Sequence, residues 1–300
     1  MKLLTFRLPP SRRDRFGAVL SNGQVLDLTG AEGVAPSLLR CIQGGPAALD
    51  AVRAAVDAAE AAVKGGRPAA GAHAMDAVRI RLPYVPGKII AVGRNYSEHI
   101  AEVGDRPPGN PNAFIKLNSS LIAHGEAVRK PAWTRQLDYE NELVTVIGQD
   151  CDNVPEDHWA DYVFGYTVMN DVSARDVQAA ERKDGNILIG KNFPTAAPLG
   201  PWIVTKDEVP DPHNIRILTT VNGEVRQDSN THDQVYRVPR QVAWFSRVGF
   251  QAGDMISSGS PAGTAIGWNG PGSWYLKAGD VLESELVGIG KLVNPIRRAR

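Results

Sequence analysis

Leu137-Asp138-Tyr139-Glu140-Asn141-Glu142-Leu143-Val144-Thr145-Val146-Ile147-Gly148 is a turn-like lead-in followed by a β-branched run that stops at glycine. That pattern predicts a strand. Side chains two apart share a strand face, so Glu140 and Glu142 point the same way. Carboxylates this close repel each other, and the cost rises if the face is buried. A divalent cation removes the conflict, and Mg²⁺, Mn²⁺ and Ca²⁺ all take oxygen ligands of this kind. The ordinary alternative is a solvated strand face that carries two glutamates, so the rest of the chain has to decide.

Downstream, Val163-Phe164-Gly165-Tyr166-Thr167-Val168-Met169-Asn170-Asp171 reads as a second strand ending in Asn-Asp. Asp171 stands at a strand end, where it serves either as a ligand or as the cap of the next helix. That helix contains Arg175 and Gln178, three apart and able to face one site. Upstream, Ile89-Ile90-Ala91-Val92-Gly93 predicts a short buried strand. A short helix follows it, with Asn95 as expected N-cap and Gly104 as terminator. His99 and Glu102 share a face of that helix. Glu102 could hold the imidazole in one tautomer, which is the arrangement of a general-base dyad acting on water; a surface ion pair is the plainer reading. The Pro/Gly-rich loop over residues 104–112 could let this helix act as a lid. Lys116 ends the next apolar strand, placed either to meet an anionic substrate or to snorkel to solvent.

Gly185-Asn186-Ile187-Leu188-Ile189-Gly190-Lys191-Asn192 nearly fits the phosphate-binding pattern GxxxxGK[ST]. It fails on three counts. Asn192 lacks the metal-binding hydroxyl, three aliphatic residues fill the cradle, and Phe193-Pro194 follows where a helix should continue. Lys191 is better placed at the edge of a pocket.

Residues 1–84 predict a small α+β N-terminal domain. Asn22-Gly23 between two apolar runs predicts a hairpin, and Leu49, Val52, Val56, Ala59 and Val63 recur at helical spacing between Pro46 and Gly65-Gly66. Residues 85–300 then carry many short strands closely spaced, with one further helix expected between Pro239 and Val248. The fold class is mainly β with α, a rolled mixed sheet rather than a doubly wound one.

The composition bounds the function. Three hundred residues suffice for one large domain, or one large and one small. Net charge is zero, which gives no electrostatic case for nucleic acid or anionic membrane. No apolar run approaches a membrane span, and Met1-Lys2-Leu3-Leu4-Thr5-Phe6-Arg7 lacks the long apolar core and small-residue cleavage site expected of a signal peptide. Cys41 and Cys151 have no metal or disulfide spacing. A cytoplasmic protein is expected. No GxSxG elbow supplies a serine nucleophile.

Four blocks, in order and with matching spacing, resemble the fumarylacetoacetate hydrolase family across residues 86–295. They are Val92-Gly93-Arg94-Asn95-Tyr96 with His99 and Glu102; Asp138-Tyr139-Glu140-Asn141-Glu142-Leu143; Gly165-Tyr166-Thr167-Val168 through Asp176; and Gly190-Lys191-Asn192-Phe193 followed by Pro198-Leu199-Gly200-Pro201. The resemblance implies that family's rolled β-sheet, a homodimer or higher even assembly, and a Mg²⁺ or Mn²⁺ site made by Glu140, Glu142 and Asp171, with Ca²⁺ as another occupant. It implies His99 and Glu102 as the catalytic dyad and Lys191 as the pocket lysine. Arg175 and Gln178, with Lys116, would bind the substrate carboxylate, and Arg94, Tyr96 and Ser260 would complete the substrate site.

The sequence departs from the family pattern at Ser258-Gly259-Ser260-Pro261, Pro194, Leu117 and Gln234-Val235-Tyr236, all expected at the pocket walls. The implied activity is metal-dependent hydrolysis of a C–C bond in a 2,4-dioxo acid of the acylpyruvate or fumarylpyruvate kind, through an enolate. Oxaloacetate-type decarboxylation, or keto–enol and 2-hydroxy-dienoate isomerisation, would use the same groups. A non-catalytic ligand-binding protein of the same fold is the alternative from a different class.

Overall fold

The computed structural model describes residues 1–299. Its frame is a twelve-stranded sheet. The central strands are Asn141–Ile147 and Val163–Asn170, paired antiparallel, and every residue of both is buried. A β-branched run without polar alternation is what a strand covered on both faces requires. Leu143, Val144, Val146 and Ile147 have no exposed surface, and each such burial is worth about 1.5–3 kcal/mol.

From this centre the sheet extends both ways. On one side Met255–Ser257 pairs with Asn141–Ile147, then runs parallel to Ile89–Gly93, whose outer neighbour Asn112–Lys116 forms an edge. On the other side Ala197–Thr205 joins Val163–Asn170. Gly165 makes that approach possible, because a Cβ there would lie 2.1 Å from the Val204 carbonyl oxygen. Register shifts at Val146/Ile147 and Tyr166/Val168 bend these strands. A second, five-stranded sheet runs Glu224–Asn230, Arg216–Val221, Val281–Leu286, Gly290–Arg298 and Val128–Lys130. Leu143, Val168, Ile217, Leu286 and Leu292 fill the space between the two sheets.

The expected hairpin and helix of the N-terminal part are present. Arg15–Val19 pairs with Val25–Asp27, and Gly45–Lys64 is a helix with Pro in its first turn and Gly65 at its C-cap. The sheet runs on across residue 84, because Lys2–Arg7 pairs with Ala197–Thr205. One apolar cluster draws Leu3, Phe16 and Val52 together with Ile89, Val144 and Met255. The helix expected near Pro239 spans Val238–Phe245. No helix among the described residues is long and apolar enough to cross a membrane.

Candidate metal centre and its cavity

Register brings the three acidic residues together. Asn141 faces Asn170 across the central pair, so Glu140 and Asp171 lie just past the paired ends and Glu142 just inside. The Asp171 N–H donates to the Glu140 carbonyl at 2.8 Å, and the Glu140 N–H donates to Asn170 Oδ1 at 3.0 Å. The strand starts one residue later than the sequence pattern suggests. Leu137–Asp138 is a separate short strand paired with Ser173–Ala174. The convergence survives: one oxygen from each of Glu140, Glu142 and Asp171 lies within 4.8 Å of the others, and all three residues are buried. Asp171 is not a helix cap; the cap of Arg175–Lys183 is Ala174.

Cations compensate most of this charge. Lys191 Nζ lies 2.5 Å from Glu140 Oε2 and 2.7 Å from Asp171 Oδ2. Lys116 Nζ donates to Asp171 Oδ1 at 2.6 Å and also to the Lys191 carbonyl. Arg175 reaches Glu140 Oε1 at 2.6 Å and Asp138 Oδ2 at 2.8 Å, and donates to Gln178 Oε1 at 3.1 Å. Burial works against the Glu140 carboxylate, but Arg175 and Lys191 outweigh it and hold its pKa well below the ordinary value. Glu142 differs. Burial, then the Asp171 and Glu140 carboxylates, push its pKa well above the ordinary value. Among the described residues its only hydrogen-bond partners are the Ser257 hydroxyl and the Gly259 N–H. Asp138, Glu140, Glu142 and Asp171 would bring four negative charges if all were ionised, against three positive ones from Lys116, Lys191 and Arg175. A buried, all-oxygen cluster with one uncompensated carboxylate fits a hard divalent cation.

The dyad is assembled. Ser97–Glu102 is a helix, and His99 Nδ1 lies 2.9 Å from Glu102 Oε2. Glu102 also accepts from the Gly263 N–H at 2.9 Å and the Thr264 hydroxyl at 3.2 Å. Burial opposes its charge, but the His99, Gly263 and Thr264 bonds prevail and lower its pKa. An ionised Glu102 keeps the imidazole proton on Nδ1 and leaves the lone pair on Nε2. The expected Asn95 cap is corrected. Asn95 instead donates to the Tyr236 and Ser258 carbonyls, and Asp233 accepts from the Ser97 hydroxyl and the Glu98 N–H at the helix start.

A cavity of about 630 Å³ opens on these groups. Arg94, His99, Glu140, Arg175, Gln178, Lys191 and Ser260 line it. Arg94 holds φ +53°, a conformation that non-glycine residues rarely take and that clusters at functional sites. Two residues expected at the substrate site do not line the cavity. Tyr96 is fully buried and bonded to Gln234 and Ser258 away from the cavity. Lys116 is 1% exposed, bonded to Asp171 and absent from the cavity lining, so it does not snorkel to solvent. Of the expected wall departures only Ser260 lines the cavity. Pro194 and Leu117 are exposed, Gln234 is buried against Tyr96, and the Tyr236 hydroxyl ties the Pro/Gly-rich loop at the Pro108 carbonyl.

Sequence reasoning missed two supporting carboxylates. Asp138 accepts from the Ala265 N–H at 2.8 Å and the Ile266 N–H at 3.0 Å while orienting Arg175. Its place in the Asp138-Tyr139-Glu140-Asn141-Glu142 alternation was the available signal. Glu181 accepts from the N–H groups of Leu188, Ile189 and Gly190 at 3.2, 2.6 and 3.0 Å. The amides that would cradle a phosphate are thus taken by the chain's own carboxylate, which agrees with rejecting the phosphate-loop match.

Fold and site together define a β-rich protein built around a buried, cation-ready carboxylate cluster beside a His–Glu dyad. Residues 88–297 match the family model described as fumarylacetoacetate (FAA) hydrolase C-terminal, and the chain belongs to that family of enzymes. A mitochondrial oxaloacetate tautomerase of Xenopus laevis is 36% identical over 99% of this chain and 90% of its own length. A fumarylacetoacetate hydrolase from Exiguobacterium antarcticum superposes with TM-score 0.80 at 32% identity, covering both chains fully. Maleylpyruvate hydrolase from Sphingobium sp. SYK-6, solved with manganese(II) and pyruvate, gives 0.78 at 28% identity, again over both whole chains.

Proposed function

We propose that the chain is a Mg²⁺- or Mn²⁺-dependent hydrolase of a C–C bond in a 2,4-dioxo acid of the acylpyruvate or fumarylpyruvate kind. The observation that carries this reading is the assembled His99–Glu102 dyad on the same cavity as Glu140 and Lys191. Glu140, Glu142 and Asp171 would hold the dication, which supplies positive charge where an enolate develops. Arg175 and Gln178 take the substrate carboxylate. His99, held by Glu102, removes a proton from water, and the resulting hydroxide adds to the C4 carbonyl. The C3–C4 bond breaks, its electron pair passes to the pyruvate half as an enolate, and the imidazolium returns the proton to C3. Lys191 adds positive charge to the same region.

A second reading is keto–enol tautomerisation of oxaloacetate, favoured by the near full-length similarity to the Xenopus tautomerase. His99 would then move a proton on and off C3 with no water consumed. Metal-free protein is assayed for acylpyruvate cleavage and for decay of enol-oxaloacetate, before and after Mg²⁺ addition. Metal-restored cleavage supports hydrolysis; restored enol decay alone supports tautomerisation. Activity indifferent to metal sinks both. A cytoplasmic homodimer completes the proposal. Ile115 and Leu117 on the sheet edge, and Ile189 beyond it, are 49%, 40% and 56% exposed, apolar surface that a second copy would cover. Light scattering of a monomer at working concentration would contradict it.

A further inference from the structure

Gln227 is the one fully buried residue of the strand Glu224–Asn230, at the edge of the five-stranded sheet. A register shift against the neighbouring strand at Thr219/Thr220 re-aims the side chains here. A buried amide has to fill its bonding, and this one does so in a single orientation. Its Oε1 accepts from the Asn141 N–H at 3.2 Å and from the Thr219 hydroxyl at 2.9 Å. Its Nε2 donates to the Pro261 carbonyl at 2.9 Å and to Ser260 Oγ at 2.9 Å. The backbone partners decide which end is which, because an N–H only donates and a carbonyl only accepts. Ser260 Oγ therefore receives a hydrogen from Gln227 and keeps its own to give. The one acceptor in reach of that hydrogen among the described residues is the Pro261 carbonyl at 3.4 Å, beyond the roughly 2.5–3.0 Å of an ordinary O–H···O bond. Ser260 is 4% exposed, and it lines the cavity.

We infer that Gln227 is a positioning residue of this cavity, acting through Ser260. It confines the Ser260 hydroxyl to donation, toward a substrate oxygen that gains negative charge as the reaction proceeds. This rests on the proposed reading of the cavity and deepens it. In hydrolysis that oxygen is the one on C4, which becomes anionic when hydroxide adds. In tautomerisation it is the enolate oxygen. A hydroxyl free to turn would present its lone pairs to the same oxygen part of the time and oppose the charge. The segment that carries Ser260 runs on to Gly263 and Thr264, which hold Glu102. One segment thus sets both the donor and the dyad, and Gln227 anchors its start.

The test is a double-mutant cycle on metal-loaded protein. Ser260→Ala is expected to lower kcat about a hundredfold with little change in KM, as a bond made in the transition state requires. Gln227→Met keeps the length of the side chain, loses the amide, and should lower kcat about tenfold or more. Together the two should cost no more than Ser260→Ala alone, although Gln227→Met lowers the melting temperature in both backgrounds. Ser260→Thr keeps a hydroxyl and should keep its turnover only while Gln227 is present. Losses that multiply, or a Gln227→Met protein with intact kcat, overturn the inference alone. So does calorimetric loss of Mn²⁺ binding in Gln227→Met but not in Ser260→Ala, since Gln227 would then serve the strand of Glu140 and Glu142 through Asn141. Should Gln227→Met not fold, Gln227→Glu reads the same point. Its carboxylate takes the Ser260 hydrogen, so kcat should fall to the Ser260→Ala value, and a retained kcat overturns the inference. If the unmodified protein turns over neither an acylpyruvate nor enol-oxaloacetate, the reading of the cavity falls, and the inference with it.

Discussion

His99 and Glu142 separate the two jobs of the site. His99→Ala removes the base without touching a carboxylate of the cluster. Mn²⁺ binding by calorimetry should persist, while cleavage falls by about 10²–10⁴, the usual worth of a positioned base. Retained cleavage would show that the dyad does not activate water. Glu142→Ala should do the reverse and abolish metal binding, because it removes the one carboxylate that has no cation of its own. These residues were legible because they lie close together in the chain at strand and helix spacing, and because their order matches a family. Lys116 was misplaced for a physical reason. Its sequence position fixes a strand end but does not say which side of Asp171 the ammonium reaches.

The helix Ser97–Glu102 depends on groups far away in sequence. A Cβ on Gly267 would fall 2.0 Å from Glu102 Cδ. Glu102 is a flexible side chain and can move aside, but moving costs it the Gly263 and Thr264 bonds and its grip on His99. Gly267→Ala is therefore expected to lower kcat by tenfold or more with near-normal melting temperature and metal affinity. A large loss of stability instead would mean that the loop, rather than the dyad, needs the glycine. Asp233→Ala removes the acceptor at the helix start, a contribution of about 1 kcal/mol, and should speed amide exchange across residues 97–104. Asn95 was the better cap on sequence grounds. Tertiary structure overrode that preference because Asn95 holds the Tyr236 and Ser258 backbone instead.

For the whole molecule, a ligand that binds only the folded state raises stability by mass action, about 2.7 kcal/mol at a hundredfold excess over Kd. Mn²⁺ should raise the melting temperature of the unmodified protein and leave Glu142→Ala unmoved. Acid should act through His124. Burial lowers its pKa in the folded state below the ordinary 6.5, against a backbone bond to Lys291, and Nδ1 accepts from the Val293 N–H at 3.3 Å. The folded state then binds fewer protons than the unfolded one, so stability falls as pH drops below about 6.5. His124→Gln should flatten that part of the melting-temperature profile. The strands and the N-terminal helix were legible from local pattern. The sheet's passage across residue 84 was not, because Lys2–Arg7 finds Ala197–Thr205 nearly two hundred residues away, a pairing no local window contains.

The three candidate metal-ligand carboxylates lie on or just past the ends of two strands adjacent in both sequence and space. The cations that balance them come from separate segments, and the dyad from the helix Ser97–Glu102, earlier in the chain. Local pairings close before distant ones because less chain entropy is lost. During refolding, the capacity to bind Mn²⁺ should thus return with the central hairpin, before the cavity closes and before catalysis returns. Manganese uptake followed by magnetic resonance would time the formation of the molecule's centre, and the recovery of turnover would time its completion.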